Sequence, residues 1–187
     1  MGTHVFQKNT SIFKEVAYVA TNKNNYKSFL KKNPKFEYEN KNILKDWTLE
    51  FQNEEIDKKY IENIEKKYFN SSSILNSAKI DRRYVGGLKS TFVQNYKTTL
   101  SNKELLKTTQ LSFKAILKLI NDFKPDIIIG FICVTAIEYQ AFHIAKKHKI
   151  KYLNLRPSRI ANRFFVVSDI SDPPKEMVHD YLEGLND

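Results

Sequence analysis

The segment NLRPSRIANRFFVVSD, residues 154–169, concentrates side chains that bind anions, and we call it the arginine segment. Three of its residues are arginines within eight positions, although lysine is the commoner cation elsewhere in the chain. A guanidinium group carries a planar fork of donors that matches phosphate and carboxylate groups, and neutral hydroxyl and amide groups add hydrogen bonds. The residues that we expect to line an anion-binding pocket are Arg156, Ser158, Arg159, Asn162 and Arg163.

A structural role for these arginines is equally open. One arginine could pair with Asp169 or Asp172, and the others could brace the loops around them. Asp169 is also a candidate catalytic base, because a carboxylate at the end of a strand can accept a proton or hold a hydroxyl. Glu138 is the other candidate base, although Thr135-Ala-Ile-Glu138 also has the pattern of a capping box that bonds the first amides of a helix.

Other kinds of chemistry lack their sequence signals. The four histidines do not have the spacing of metal ligands, and the chain holds a single cysteine, Cys133. There is no glycine-rich dinucleotide fingerprint, no Walker loop and no G-x-S-x-G motif. We therefore expect no metal site and no cofactor bound by this chain alone.

The second half of the chain alternates between helical and strand patterns. Ser101-Asn-Lys-Glu104 is a capping box, and apolar residues recur behind it at helical spacing. Apolar runs that suit buried strands follow at 126–132, 151–155 and 163–168, with a second helical pattern between the first two. This order predicts a Rossmann-like α/β domain with helices flanking a parallel sheet. Ligands of such sheets bind outside the carboxyl ends of the strands, where Arg156 is expected.

The first half of the chain is less regular. A helix is predicted over 54–69, where apolar residues recur at helical spacing. Before about residue 54 the clearest pattern is DWTLEF, residues 46–51, whose alternation is typical of a short strand. The sequence Asp81-Arg82-Arg83 predicts a small surface cluster or an internal ion pair. We interpret residues 1–187 as a single α/β domain.

The composition restricts the class of protein. The 187 residues include 31 Lys+Arg and 21 Asp+Glu, which gives a formal net charge of +10. Scattered lysines usually form only a solvated surface, but such a surplus also favours nucleic acid or another polyanion as a partner. No apolar run has the length of a transmembrane helix, and the start of the sequence lacks a signal-peptide pattern. Together with the single cysteine, these features predict a cytoplasmic location.

The arginine segment, with the preceding KPDIIIGF and its helix and the following DPP, resembles the amino-terminal half of bacterial capsule or surface polysaccharide biosynthesis proteins. Those proteins are glycosyltransferase-like and have two Rossmann domains, an arrangement called GT-B. The resemblance extends over 124–181, and more loosely over 68–120, where the DRRY element and the capped helix follow in the expected order. A glycine is usual in that family where Ala161 stands, and this departure puts the expected turn geometry in question.

The resemblance implies transfer of a sugar from a nucleotide-sugar donor to a growing glycan. The first domain of such proteins holds the acceptor and the second binds the nucleotide. By this analogy the chain is an acceptor-side half whose five anion-binding residues face an acidic sugar or a phosphate. A second nucleotide-binding domain does not fit before Asp187, so the chain could be a fragment, a truncated reading frame or one part of a split system. We expect a second Rossmann domain or a partner subunit to bind the nucleotide sugar, and we expect no activity from this chain alone. Such a protein would act in the cytoplasm or peripherally at the inner face of the membrane.

Two other functions fit the sequence. The chain could be a basic, non-enzymatic module that binds nucleic acid or another polyanion through its lysine excess. Its affinity would then fall steeply with salt for any polyanion. It could also be a non-catalytic partner subunit, which would expose an apolar patch near the end of the chain.

Overall fold

The computed structural model describes residues 15–51, 54–81, 83, 100–158 and 163–170. The strands in this part of the chain are β1 (Tyr18–Ala20), β2 (Ile43–Lys45), β3 (Ile127–Phe131), β4 (Lys151–Pro157) and β5 (Phe164–Val167). The α-helices are α1 (Lys23–Lys32), α2 (Phe36–Glu39), α3 (Lys58–Tyr68), α4 (Leu75–Ile80), α5 (Asn102–Phe123) and α6 (Ala136–His148). A 3₁₀ helix, Asp46–Phe51, directly follows β2. The protein is thus mixed α/β, with small parallel sheets flanked by helices.

The larger sheet has the strand order β3-β4-β5. β3 and β4 are parallel, with Ile127 opposite Lys151 and Phe131 opposite Leu155. α6 connects the two strands, as a parallel pair requires. The carboxyl ends of β3 and β4 therefore lie at the same edge of the sheet, next to the start of α6.

β5 differs from the predicted parallel order. The strand expected over 163–168 is present, but it runs antiparallel to β4, with Pro157 opposite Phe164. The physical reason is the length of the connection. A parallel crossover needs about a dozen residues or more, and only residues 158–163 separate β4 from β5.

The smaller sheet is formed by β1 and β2, which are also parallel. On one face, Val19 and Leu44 pack against the main core, and on the other face Tyr18 and Ile43 pack against a cluster that includes Trp47. The strand predicted over 46–51 is wrong. This segment is the 3₁₀ helix because Asp46, Trp47 and Leu49 are all buried, a spacing that a two-residue alternation does not produce.

The main core lies among α3, α5 and α6. The helix predicted over 54–69 is present as α3, and the capping box of α5 forms as expected, with Glu104 Oε2 accepting from the Ser101 amide at 2.7 Å. The buried residues that fill this core are Ile61, Ile64, Tyr68, Phe69, Ile74, Phe113, Ile116, Ile120, Ile137, Ala141 and Ile144. Packing against α3 and α5 fixes the position of α6, whose first turn lies beside the ends of β3 and β4.

The face of the β3-β4-β5 sheet that points away from this core is apolar. Ile129 and Phe131 of β3 and Phe164 and Val166 of β5 are exposed large hydrophobic residues. Helices of the described chain pack on the opposite face, where Tyr152 contacts α6 through Phe142. No helix that is both long and apolar enough to cross a bilayer occurs in the described ranges.

Candidate functional site

The arginine segment forms a β-hairpin at the carboxyl end of β4. Arg156 and Pro157 belong to β4, which continues two residues beyond the predicted strand. The amide of Ser158 donates to the carbonyl of Arg163 at 2.9 Å and closes the hairpin. The predicted residues Arg159 and Asn162 lie outside the described residues, as does Asp172. The described part thus brings Arg156, Ser158 and Arg163 to one end of one hairpin.

Arg156 is half-buried and braces the chain that follows β5. Its Nη2 donates to the backbone carbonyl of Ile170 and, at 3.5 Å, to that of Asp169. The Asp169 carboxylate pairs with Lys146 of α6 at 3.1 Å. Arg156 therefore has a structural role, because it braces the chain after β5, and such bracing was one of the alternatives that the sequence left open.

Arg163 has the exposure that ligand binding requires. It directly precedes β5, and both Arg163 and Phe164 are exposed to solvent. Ser158, at the other side of the hairpin closure, is half-buried. Among the residues that the structure describes, Arg163 is thus the most suitable position at which to test anion binding without disturbing the fold.

Glu138 lies in the first turn of α6, at the carboxyl end of β3. Its Oε2 accepts from the Thr135 hydroxyl at 2.9 Å, and the Thr135 hydroxyl oxygen accepts from the Glu138 amide at 3.3 Å. The other oxygen, Oε1, accepts from the amide of Phe131 in β3 at 3.2 Å. Burial raises the pKa of Glu138, although these hydrogen bonds partly oppose the rise. The carboxylate caps α6 and also ties the helix to β3.

The turn between β3 and α6 has an unusual backbone. Ile132 and Cys133 have φ angles of 65° and 58°, in the left-handed region that residues other than glycine adopt uncommonly and that β-branched residues such as Ile132 rarely adopt. The Ile132 amide donates to the carbonyl of Leu155 in β4 at 2.9 Å and holds the turn in place. Strained turns of this kind concentrate at functional sites, and this one lies beside Glu138.

Cys133 lies close to two residues that the sequence predicts at the site, Glu138 after β3 and Arg156 in β4. Burial raises the pKa of its thiol to about 12, and the negative charge of Glu138 contributes to the rise. The Tyr152 hydroxyl and the positive charge of Arg156 act in the opposite direction. Glu138 and Arg156, predicted from separate parts of the sequence, are therefore close enough to act on the same buried thiol.

Two further β4 side chains were not predicted at this site. Asn154 is fully buried, and neither polar atom of its amide has a hydrogen-bond partner in the described chain. Tyr152 crosses over Gly130, where a Cβ would lie 2.2 Å from its hydroxyl oxygen, so β3 has no space for a larger residue there. The only sequence feature that could have pointed to these two residues is that a tyrosine and an asparagine interrupt the apolar pattern of this strand.

A second polar cluster lies nearby, and the sequence predicts only part of it. We call it the buried ion cluster: Asp46, Asp81 and Arg83. Arg83 bonds both oxygens of Asp81, with Nε–Oδ1 at 2.9 Å and Nη2–Oδ2 at 2.5 Å. Its Nη1 bonds Asp46 Oδ2 at 2.8 Å and the carbonyl of Thr21. The internal pairing proposed for Asp81-Arg82-Arg83 thus occurs at Arg83, whereas Arg82 lies outside the described residues.

The buried ion cluster joins the ends of three elements. Thr21 follows β1, Asp46 follows β2, and Asp81 Oδ2 accepts from the amide of Ala136, the first residue of α6, at 2.9 Å. Burial raises the pKa of Asp46 to about 6, a rise that Asp81 adds to and Arg83 partly offsets. The pKa of Arg83 is raised despite burial, because both carboxylates stabilise its charge. The start of α6 is therefore held from both sides, by Asp81 and by Glu138.

Comparison with protein-family models, with curated proteins and with solved structures found no match for this chain. The described residues contain no group of three or more His, Cys, Asp and Glu side chains that could hold a metal ion.

Proposed function

We propose that this chain is the acceptor-side domain of a glycosyltransferase-like protein in capsule or surface polysaccharide biosynthesis. In this proposal the β4–β5 hairpin binds an acidic or phosphorylated glycan at the carboxyl edge of the β3-β4-β5 sheet. The single observation that carries it is the meeting of Arg156, Ser158 and Arg163 at that edge, beside the first turn of α6. In α/β sheets this edge is the usual position of ligands.

Charge and geometry support an anionic sugar as the ligand. Arg163 is exposed at the hairpin, and a guanidinium binds carboxylate or phosphate through two hydrogen bonds. Glu138 is half-buried in the first turn of α6, next to the end of β3, and the pKa of its carboxyl is raised by burial. A carboxylate with a raised pKa is suited to accept the proton of an acceptor hydroxyl, so we favour Glu138 over Asp169, which pairs with Lys146.

The proposed activity requires a second component. The nucleotide-sugar donor would bind to a second Rossmann-like domain, in a partner subunit or in another part of a longer protein. Such a system would work in the cytoplasm or at the inner face of the membrane, where nucleotide sugars are used. The chain described here would bind the acceptor glycan and would not transfer sugar alone.

Binding of a defined acidic glycan tests the proposal. We would titrate the protein with a hyaluronan octasaccharide, which carries one carboxylate per disaccharide, and with a neutral dextran oligosaccharide. Replacing Arg163 with glutamine should weaken binding of the acidic glycan by about fivefold or more, as expected for loss of one charge-assisted hydrogen bond worth about 1 kcal/mol or more. Arg163 is preferred to Arg156, because Arg156 also bonds backbone carbonyls.

The matched control is Lys151→Gln. Lys151 is an exposed cation at the opposite end of β4, so its loss should leave the affinity unchanged. Equal weakening by both substitutions, or binding of neutral dextran as tightly as hyaluronan, would contradict the proposal. If single-stranded DNA bound as tightly and with a steep dependence on salt, the basic polyanion-binding module would be the better description.

A further inference from the structure

The buried ion cluster has an uneven charge balance. It contains two carboxylates and one guanidinium, and the three side chains are between 1% and 6% exposed. Glu138, which also acts electrostatically on Arg83, adds a further carboxylate close by. An uncompensated negative charge in a buried position is unfavourable, and proteins usually relieve it by binding a proton.

Asp46 is the residue of the cluster whose hydrogen bonds best allow it to bind this proton. Its Oδ2 accepts from Arg83, whereas its Oδ1 is buried and accepts no hydrogen bond of normal geometry in the described chain. The backbone amide of Trp47 lies close enough to the carboxylate to lower its pKa, but burial has the larger effect. Both oxygens of Asp81 are occupied, by Arg83 and by the Ala136 amide. A proton on Asp46 Oδ1 would neutralise the excess charge without breaking any of these bonds.

The other charges around Asp46 do not compensate it. Only Arg83 and Asp81 act on its pKa through their charges, with opposite signs. Lys45, the residue before it, pairs with Glu37 at 2.5 Å on the surface. In α5, which packs against the 3₁₀ helix, Glu104 is exposed and bonds to Ser101.

We propose that the buried ion cluster is a proton-binding latch, in which uptake of one proton by Asp46 closes the 3₁₀ helix Asp46–Phe51 onto the ends of β1 and α6. With Asp46 charged, the segment that carries it is the part of the network most easily opened, because opening returns the carboxylate to water. With Asp46 neutral, the segment stays packed and Arg83 keeps its bonds to Asp81. The pKa of about 6 indicates that the change falls in the mildly acidic range.

The chain contains a reporter for this event. Trp47 is its only tryptophan, follows Asp46 directly, is 6% exposed and contacts the ring of Tyr26 at 5.6 Å. Acrylamide quenches a tryptophan only when the segment around it opens. We expect the quenching constant of Trp47 to fall by about twofold or more between pH 7.5 and pH 5, with a midpoint near 6.

Asp46→Asn separates the latch from other titrations. Asparagine keeps a carbonyl oxygen for Arg83 but carries no charge, so this variant should have the low quenching constant at both pH values. The matched control Asp122→Asn removes an exposed carboxylate of α5 and should behave like the unmodified chain. A pH transition that persists in Asp46→Asn would assign it to a histidine and overturn the proposal, as would a quenching constant that does not change with pH.

A measurement on the unmodified chain covers the case in which Asp46→Asn does not fold. Carbon-13 labelling of the aspartate carboxyl groups allows each to be titrated by NMR. One aspartate should titrate above pH 5, well above the usual value near 3.9. If every aspartate carboxyl titrated below pH 4.5, the cluster would hold no proton near neutrality and the latch would be refuted.

Discussion

Replacing Asp81 with alanine measures how much the buried ion cluster stabilises the fold. Asp81 is 1% exposed, pairs with Arg83 through both oxygens and accepts from the Ala136 amide at 2.9 Å. Its loss leaves the Arg83 guanidinium with one carboxylate partner and leaves the first amide of α6 without its acceptor. Both groups remain away from water, so neither is compensated by hydration.

The magnitude follows from these two losses. Breaking a buried ion pair by removing one partner costs about 3–5 kcal/mol, and an orphaned buried amide costs about 1–3 kcal/mol. Arg83 keeps Asp46 at 2.8 Å and the Thr21 carbonyl, so we expect the lower part of the combined range. The free energy of unfolding should fall by about 4 kcal/mol, which is a shift of about 2 M in the urea midpoint at an m value of about 2 kcal/mol/M.

The assay is urea unfolding at pH 7.5, followed by Trp47 fluorescence and by far-ultraviolet circular dichroism. Asp122→Ala is the control, because Asp122 pairs with Lys118 on α5 with both side chains at least 60% exposed. Its loss should cost less than about 0.5 kcal/mol. If Asp81→Ala lost less than about 1 kcal/mol, or no more than the control, the cluster would not stabilise the fold as its geometry indicates.

Three further changes have clear expected outcomes. The pKa of Asp46 is raised from 3.8 to about 6, so its stabilising contribution is fully present below pH 3.8 and is lost as pH rises through 6. Urea unfolding should therefore show that the stability difference between the unmodified chain and Asp46→Asn changes by about 2.5 kcal/mol between pH 4 and pH 7.5. The thiol of Cys133, with its pKa raised to about 12 by burial, should react with iodoacetamide at pH 8 at least about 100-fold more slowly than free cysteine, and should reach the ordinary rate in urea; a rapid reaction in the folded protein would contradict its buried environment. Lys149 directly follows α6 as its C-cap, with φ 58°, so Lys149→Gly should raise the thermal unfolding midpoint by an amount equivalent to about 1 kcal/mol. Lys147→Gly inside the helix should lower the midpoint by a similar amount, and equal effects of the two substitutions would exclude backbone strain as the cause.

The parts of the fold that the sequence predicts are those fixed by local interactions. The helix α5 begins at its capping box because Ser101 and Glu104 satisfy neighbouring amides, and this needs no distant contact. The buried runs that form β3 and β4 are recognisable in the same way. The direction of β5 was missed, because the apolar pattern of a strand is the same in both directions and only the short connection after Pro157 decides the pairing.

The start of α6 was predictable from the Thr135–Glu138 pattern, because the capping residues are neighbours in the sequence. The arginine segment predicted a turn between two strands but not their antiparallel pairing. The buried ion cluster depends on contacts of residues 81 and 83 with residues 21, 46 and 136, which are far from them in the chain and share no spacing signal. An aspartate that directly follows a strand, as Asp46 does, and an Asp-Arg sequence after a helix are common in surface turns, so the pattern alone does not predict their pairing.

The first turn of α6 lies between the buried ion cluster and the carboxyl ends of β3 and β4. It therefore determines how the cluster and the proposed glycan site can influence each other. On one side, Glu138 bonds to the Phe131 amide at the end of β3, and on the other side Asp81 bonds to the Ala136 amide. If the start of α6 shifts toward Asp81, the hydrogen bond between Glu138 and the Phe131 amide must lengthen. If it shifts toward β3, the hydrogen bond between the Ala136 amide and Asp81 must lengthen. A change at the buried ion cluster should therefore reach Glu138 through the backbone, and the proton state of Asp46 should alter the environment of the strand end at which we propose that the glycan binds.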